Sequence, residues 1–166
     1  MPKVLVNPDR ISSIAAGLAV LAGLVGCGKP ATPMDQVTVT IAEHLFHLET
    51  ALDDSARYRG LSDRKEIEAD GGMLFVYPRP QTLRFVMRRC LVPIDLIYID
   101  PAGRVIKTHR MEVEPYNRKE DDLIRYSSQW PALCAIELRG GTIDWLGIRT
   151  GDTIRLPIPL LRSAAR

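Results

Sequence analysis

The segment PIDLIYID, from Pro93 to Asp100, constrains the fold more than any other part of the chain. A half-buried strand alternates apolar and polar residues, whereas this one is apolar on both faces, so it reads as a central strand covered on both sides. The turn Pro101-Ala102-Gly103 then returns the chain into RVIKTHRMEV, the clearest hairpin in the sequence. One residue breaks the pattern. Strand parity puts Asp95 beside Ile97 and Ile99 on a face that should be buried, and a buried ionised carboxylate is costly unless it is paired or hydrogen-bonded. Its candidate partners are Arg59, Arg88 and Arg89, or backbone amides in the Leu91 to Pro93 bend.

Around this strand the pattern is mostly β. VTVTI from Val37 and the stretch from Leu45 to Ala51 alternate with period two and are separated by a break at Glu43 and His44, which predicts a hairpin. Asp53, Asp54 and Ser55 can cap a short helix carrying Ala56, Tyr58 and Leu61, with Gly60 near its end. Asp70, Gly71 and Gly72 suit a tight turn before the strand MLFVY, which Pro78 and Pro80 should end, and Leu83 to Met87 begins another. The charged stretch EPYNRKEDDLIRYSS reads as an exposed loop, ALCAIEL as a strand, TIDWL as a short helix capped by Thr142, and TIRLPI as a strand that closes the sheet. Seven to nine short strands and two short helices predict a mainly β, compact single domain, an antiparallel sandwich or a partly closed barrel, over residues 37–160, with 161–166 as a tail.

The amino end has a different character. Lys3 and Arg10 precede the apolar run Ile11 to Gly26, which is shorter than the roughly 20 residues of a membrane-spanning helix and followed at once by Cys27. Leu24-Val25-Gly26-Cys27 resembles the lipobox of bacterial lipoproteins. That resemblance implies a signal peptide over 1–26, lipid on the Cys27 sulfur, and residues 27–36 as lipidated cysteine and flexible tether. More than one acyl chain would anchor the protein stably to a membrane. Gly28 stands where an aspartate would favour inner-membrane retention in Gram-negative lipoproteins, so the expected destination there is the outer membrane facing the periplasm. The formal net charge of +2 shows no concentrated basic stripe, and no nucleic-acid partner is implied.

The order RGL (Arg59 to Leu61), GGMLFVYP (Gly71 to Pro78), FVMRRCLVPIDLIYID (Phe85 to Asp100), the PAG turn and GIRTGD resembles the domain of unknown function 192 family, over roughly Val37 to Pro157. The resemblance implies one small β-rich domain, often found behind a secretion signal in bacteria, and assigns no biochemical activity. After Phe85 the family usually reads tryptophan, methionine, lysine, asparagine, threonine. Met87 and the charge at Arg88 match; Val86, Arg89 and Cys90 depart, which puts any family pocket that depends on the tryptophan or asparagine in question.

With Cys27 lipidated, Cys90 and Cys134 remain as an even pair in a compartment that often oxidises thiols, open to a disulfide or to two separate buried thiols. Arg88 and Arg89 could lower the pKa of Cys90, but no histidine lies near it in sequence to make a nucleophile pair. His44, His47 and His109 do not form a metal pattern, and no HExxH, CxxC, GxSxG or phosphate-loop motif is present, so no metal, cofactor or catalytic residue is assigned. The leading expectation is a noncatalytic binding module for a small ligand, glycan or envelope protein, through a cleft lined by Arg59, Met87, Arg88 and Asp95. The alternatives are a hydrolase of envelope polymers using Asp95 as acid or base, with Glu49 or Glu137 as second carboxylate, and a structural interaction protein without a pocket.

Overall fold

In a computed structural model, residues 35–166 are described; the expected signal peptide, Cys27 and most of the expected tether lie outside them. The described residues form one six-stranded mixed sheet that does not close, in the order β1-β2-β3-β6-β4-β5, with three short α-helices and a 3-10 turn. The mainly β, single-domain expectation holds. The differences are that one strand pair is parallel and that six strands, not seven to nine, carry the sheet.

β1 (Gln36–Ile41) and β2 (His44–Ala51) form the expected antiparallel hairpin. Its two-residue turn, Ala42-Glu43, has positive φ at both positions, the geometry whose twist matches that of the flanking strands. β4 (Ile94–Ile99) is buried at all six positions and lies between β6 (Tyr126–Arg139) and β5 (Val105–Met111), antiparallel to both. This explains why its sequence carries no polar face: side chains on one side enter a core with Ile136, Leu138 and Leu48, and those on the other pack with Phe75, Phe85 and Met73.

β3 (Gly71–Phe85) runs through Pro78 and Pro80 instead of ending there. Its pairing with β6 slips between Val76 and Gln81, and again between Thr82 and Arg84, so the prolines sit where the ladder is already interrupted and their missing N–H is tolerated. The two long strands bend at these bulges, helped by the left-handed Gln129 of β6. Their far ends fold toward β4 and β5: the Tyr98 hydroxyl donates to the Tyr126 carbonyl at 2.6 Å, and His109 packs edge-on between Tyr98 and Tyr126. Gly72 belongs to β3, not to a turn before it. Its φ of +145° and a Cβ position only 2.3 Å from the Glu137 carbonyl leave room for glycine alone, so β3 and β6 approach closely at this point.

At the carboxyl end TIRLPI contributes a single bridge, Arg104 to Thr153, and no closing strand. The chain instead enters α3 (Ile158–Ala164), whose Leu161 is buried in the core, so 161–166 is not a free tail. Among the described residues no helix is long and apolar enough to cross a membrane.

Candidate functional site

The parallel pairing of β2 with β3 decides where a site can be. Two antiparallel strands can be joined by a two-residue turn, but parallel neighbours need a crossover that travels over a sheet face. Here the crossover carries α1 (Asp54–Arg59). Asp53 caps it, accepting from the Ala56 amide at 2.8 Å, and Arg57 and Arg59 in the last turn complement the carbonyl end of the helix. Gly60 (φ +48°) then turns the chain close over the Phe75 ring. The helix and the loop that follows β3 stand apart over the sheet, and between them lies an open cleft of about 370 Å³.

The floor of this cleft includes Glu137 of β6, which pairs in register with Met73 on one side and Leu96 on the other. Only 4% of Glu137 is exposed, and among the described residues no hydrogen bond or ion pair reaches its carboxyl. Burial alone pushes its pKa up to about 8, so the group is mainly neutral at pH 7 and can both donate and accept a hydrogen bond. Ionised carboxylates are rarely left buried without a partner, which makes an unpartnered one facing an open cleft a candidate recognition group.

Four arginines line the walls and mouth, and they divide by what they already hold. Arg57 donates to the Val76 carbonyl at 2.8 Å, to Asp54 at 2.7 Å and to the Arg166 carbonyl, and lies over the Tyr77 ring. Arg88 donates to both Glu120 oxygens at 2.5 and 2.9 Å and to the Tyr58 carbonyl at 2.8 Å, with its guanidinium 3.9 Å from the Tyr58 ring centroid. That bidentate pair holds the Glu120 carboxyl below its usual range. Arg59 and Arg84 are exposed at the cleft and engage no hydrogen bond or ion pair among the described residues. The cleft therefore has two built-in ion clamps that hold its walls, two uncommitted cations, aromatic sides from Tyr58, Tyr77, Phe75 and Phe85, and a neutral carboxyl at its base.

Of the four residues expected to line one cleft, Arg59 and Arg88 do. Met87 is 1% exposed and packs in the core beside Phe85 and Tyr98 without lining the cleft. Asp95 lies on the opposite face of the sheet from Glu137. It is 1% exposed and accepts from the Ile143 amide at 2.6 Å, with the Gly141 amide as a further donor. Burial pushes its pKa up and these two amides oppose the shift. Asp95 thus caps α2 (Thr142–Leu146) from a neighbouring strand, the role expected of Thr142, whose hydroxyl instead donates to the Arg139 carbonyl. The expectation of an Asp95 held by backbone amides was right in kind, but the amides belong to α2 and not to the Leu91 to Pro93 bend.

Neither arginine of the Arg88-Arg89 pair neutralises Asp95. Arg89 adopts a left-handed conformation (φ +53°) that turns its side chain outward to Asp63 and Tyr116. The two thiols are free and lie in separate halves of the core, Cys90 beside Phe85 and Met87, Cys134 beside Leu133 and Ile136, so no disulfide joins them. Burial pushes both up to about 12 and outweighs the lowering by Arg88 at Cys90, which removes the thiolate a nucleophile needs. Glu49 pairs with Arg64 at 2.5 and 2.7 Å. Among the described residues no three His, Cys, Asp or Glu side chains converge to hold a metal ion. Glu137 had a visible sequence signal: it is the one charged residue inside the apolar run ALCAIEL, as Asp95 is inside PIDLIYI.

The same architecture recurs in solved structures. A protein from Sinorhizobium meliloti 1021 described as a "putative transcription regulator" is 28% identical, with a TM-score of 0.62 over 72% of this chain and 91% of its own. A protein of unknown function from Novosphingobium aromaticivorans DSM 12444 is 27% identical, with a TM-score of 0.60 over 73% of this chain and 84% of its own. No curated relative matches the chain. The family model described as DUF192, Uncharacterized ACR, matches residues 37–156, which takes in every strand, α1, α2 and all of the cleft residues. The chain belongs to the DUF192 family.

Proposed function

We propose that this protein is a lipid-anchored binding module of the bacterial envelope that takes a small anionic ligand in the cleft between α1 and the sheet. The observation that carries the binding reading is the pairing of Glu137, buried and unpartnered at the cleft floor, with Arg59 and Arg84, uncommitted at its mouth. Beside the ion pairs of Arg57 with Asp54 and Arg88 with Glu120, the exposed Arg59 and Arg84 and the Glu137 carboxyl have only the open cleft to meet. The volume falls near the lower end of small-ligand pockets, about 300–1,000 Å³, and suits a compact molecule better than a polymer chain.

The hydrolase that used Asp95 as acid or base is not supported, because that carboxyl is 1% exposed, is engaged by α2 amides and lies across the sheet from Glu137 and Glu49. The lipid anchor rests on the apolar run ending in Leu24-Val25-Gly26-Cys27. It is tested by Cys27→Ala, which should leave the protein unlipidated and largely released from the membrane fraction; unchanged mobility and localisation would refute it. The binding reading is tested by a double change, Arg59→Ala with Arg84→Ala. This variant should fold normally, since neither side chain has a partner to lose, and should lose at least tenfold in affinity for any anion that shifts the cleft amide signals. Affinity unchanged in the double variant would refute a ligand site at this mouth.

A further inference from the structure

Resting on that reading, we infer that the cleft ligand is an acidic sugar unit, its anionic group held by Arg59 and Arg84 and a ring hydroxyl hydrogen-bonded to Glu137 at the floor. The cleft offers different chemistry at its two ends. Uncommitted guanidinium groups at the mouth recognise a carboxylate or phosphate. A carboxyl at the floor, 4% exposed and without a protein partner, is poorly placed to meet a second anion but matches a hydroxyl, which donates and accepts as a protonated carboxyl does. The lining also includes Tyr58 and Tyr77, each with an arginine over one face of its ring, and the buried Phe75 and Phe85, which add apolar surface for the less polar parts of a sugar. A simple anion would leave the floor carboxyl buried and unmatched, and a neutral sugar would leave the mouth cations unused.

The floor couples binding to pH. The groups facing Glu137 are Asp54, Arg57, Tyr58 and Arg59 from α1, Tyr77 and Arg84 from β3, Arg88 and Cys90 from the loop after β3, and Tyr98 from β4, with Glu49 of β2 beyond Met73 and His109 of β5 beyond Leu96. The burial-shifted groups among them, Tyr77, Tyr98 and Cys90, are pushed up and stay neutral through pH 9. Glu137, with its value pushed up to about 8, changes charge between pH 6 and 9, and Glu137→Gln separates its contribution from that of His109. If the ligand binds only the neutral form, about one molecule in ten remains competent at pH 9, so affinity should fall about tenfold from pH 6 to pH 9.

The experiment titrates the full-length chain in detergent with three probes, reading backbone amide shifts at Arg59 to Leu61, Arg84 and Glu137. The probes are glucuronate, glucose, which lacks the anion, and cyclohexanecarboxylate, which lacks the hydroxyls. Glucuronate should bind at least tenfold more tightly than either at pH 6 and weaken about tenfold at pH 9. Glu137→Gln, which cannot ionise, should abolish the pH dependence of glucuronate binding. If cyclohexanecarboxylate binds the same amides as tightly as glucuronate, or if Glu137→Gln keeps the pH dependence, the sugar assignment is overturned while the anion site stands. If none of the probes moves the cleft amides, the sugar assignment fails together with the anionic-ligand reading on which it rests.

Discussion

Glu137→Gln should make the protein more stable at alkaline pH, and the size of the gain follows from the position of the carboxyl. The folded state holds the Glu137 proton up to about pH 8, whereas an ordinary glutamate loses it near 4.5. Between those values the folded protein carries a proton the unfolded chain has released, so stability falls as pH rises; below the lower value and above the upper one it is level. Each unit in that window costs about 1.4 kcal/mol, so the full penalty approaches roughly 5 kcal/mol, an upper figure because local opening lets water relieve the charge. Glutamine has the same shape and cannot ionise. The variant and the parent should therefore be about equally stable near pH 4.5 and diverge in favour of the variant by ~2–5 kcal/mol at pH 8. Urea denaturation at pH 5, 6.5 and 8 reads this directly. The remaining side chains are common to both proteins, and their contributions cancel in the difference. If the difference stays constant across the three pH values, Glu137 is not buried as an unpaired carboxyl and the reasoning fails.

Two further outcomes follow from the same physical accounting. Asp95→Ala removes the acceptor for the Ile143 and Gly141 amides inside the core and should cost about 2–4 kcal/mol by denaturant titration; Asp95→Asn, which keeps an oxygen, should cost less, and neither should alter probe binding in the cleft on the opposite face. Cys90 and Cys134, buried with their pKa values pushed up to about 12, should react with a thiol reagent only upon unfolding and should show no disulfide under nonreducing conditions; fast labelling of the folded protein would contradict their placement.

Much of the sheet was legible because it is local. The β1-β2 and β4-β5 hairpins are written in alternating segments joined by short turns, and the Asp53 cap and Gly60 end of α1 are short-range chemistry. What escaped is what the chain does over distance. The prolines at 78 and 80 look like strand ends until the bulged pairing with β6 shows that no ladder bond is lost there. Nothing local in Leu45 to Ala51 tells whether it meets β3 in parallel or antiparallel fashion, and that choice carries α1 over the sheet and builds one wall of the cleft. The candidate site was half legible for the same reason. Arg88 stands out as a charge in an apolar stretch, Arg59 enters through the RGL motif and as a candidate partner of Asp95, and parity correctly buries Asp95. Parity within one strand does not say which face two separate strands share, so Asp95 was grouped with arginines that lie across the sheet, and Glu137 was assigned only as its distant companion.

The central claim is that Glu137 is a neutral carboxyl without a protein partner, facing the open cleft at physiological pH. Its side-chain carboxyl carbon, followed by carbon-13 NMR through a pH titration of the full-length chain, reports that state without reference to any ligand. The midpoint should lie near 8, well above the ordinary value of a glutamate. A midpoint near 4.5 would mean that the group is ionised and compensated within the fold, and would contradict the account of the cleft as a prepared binding site.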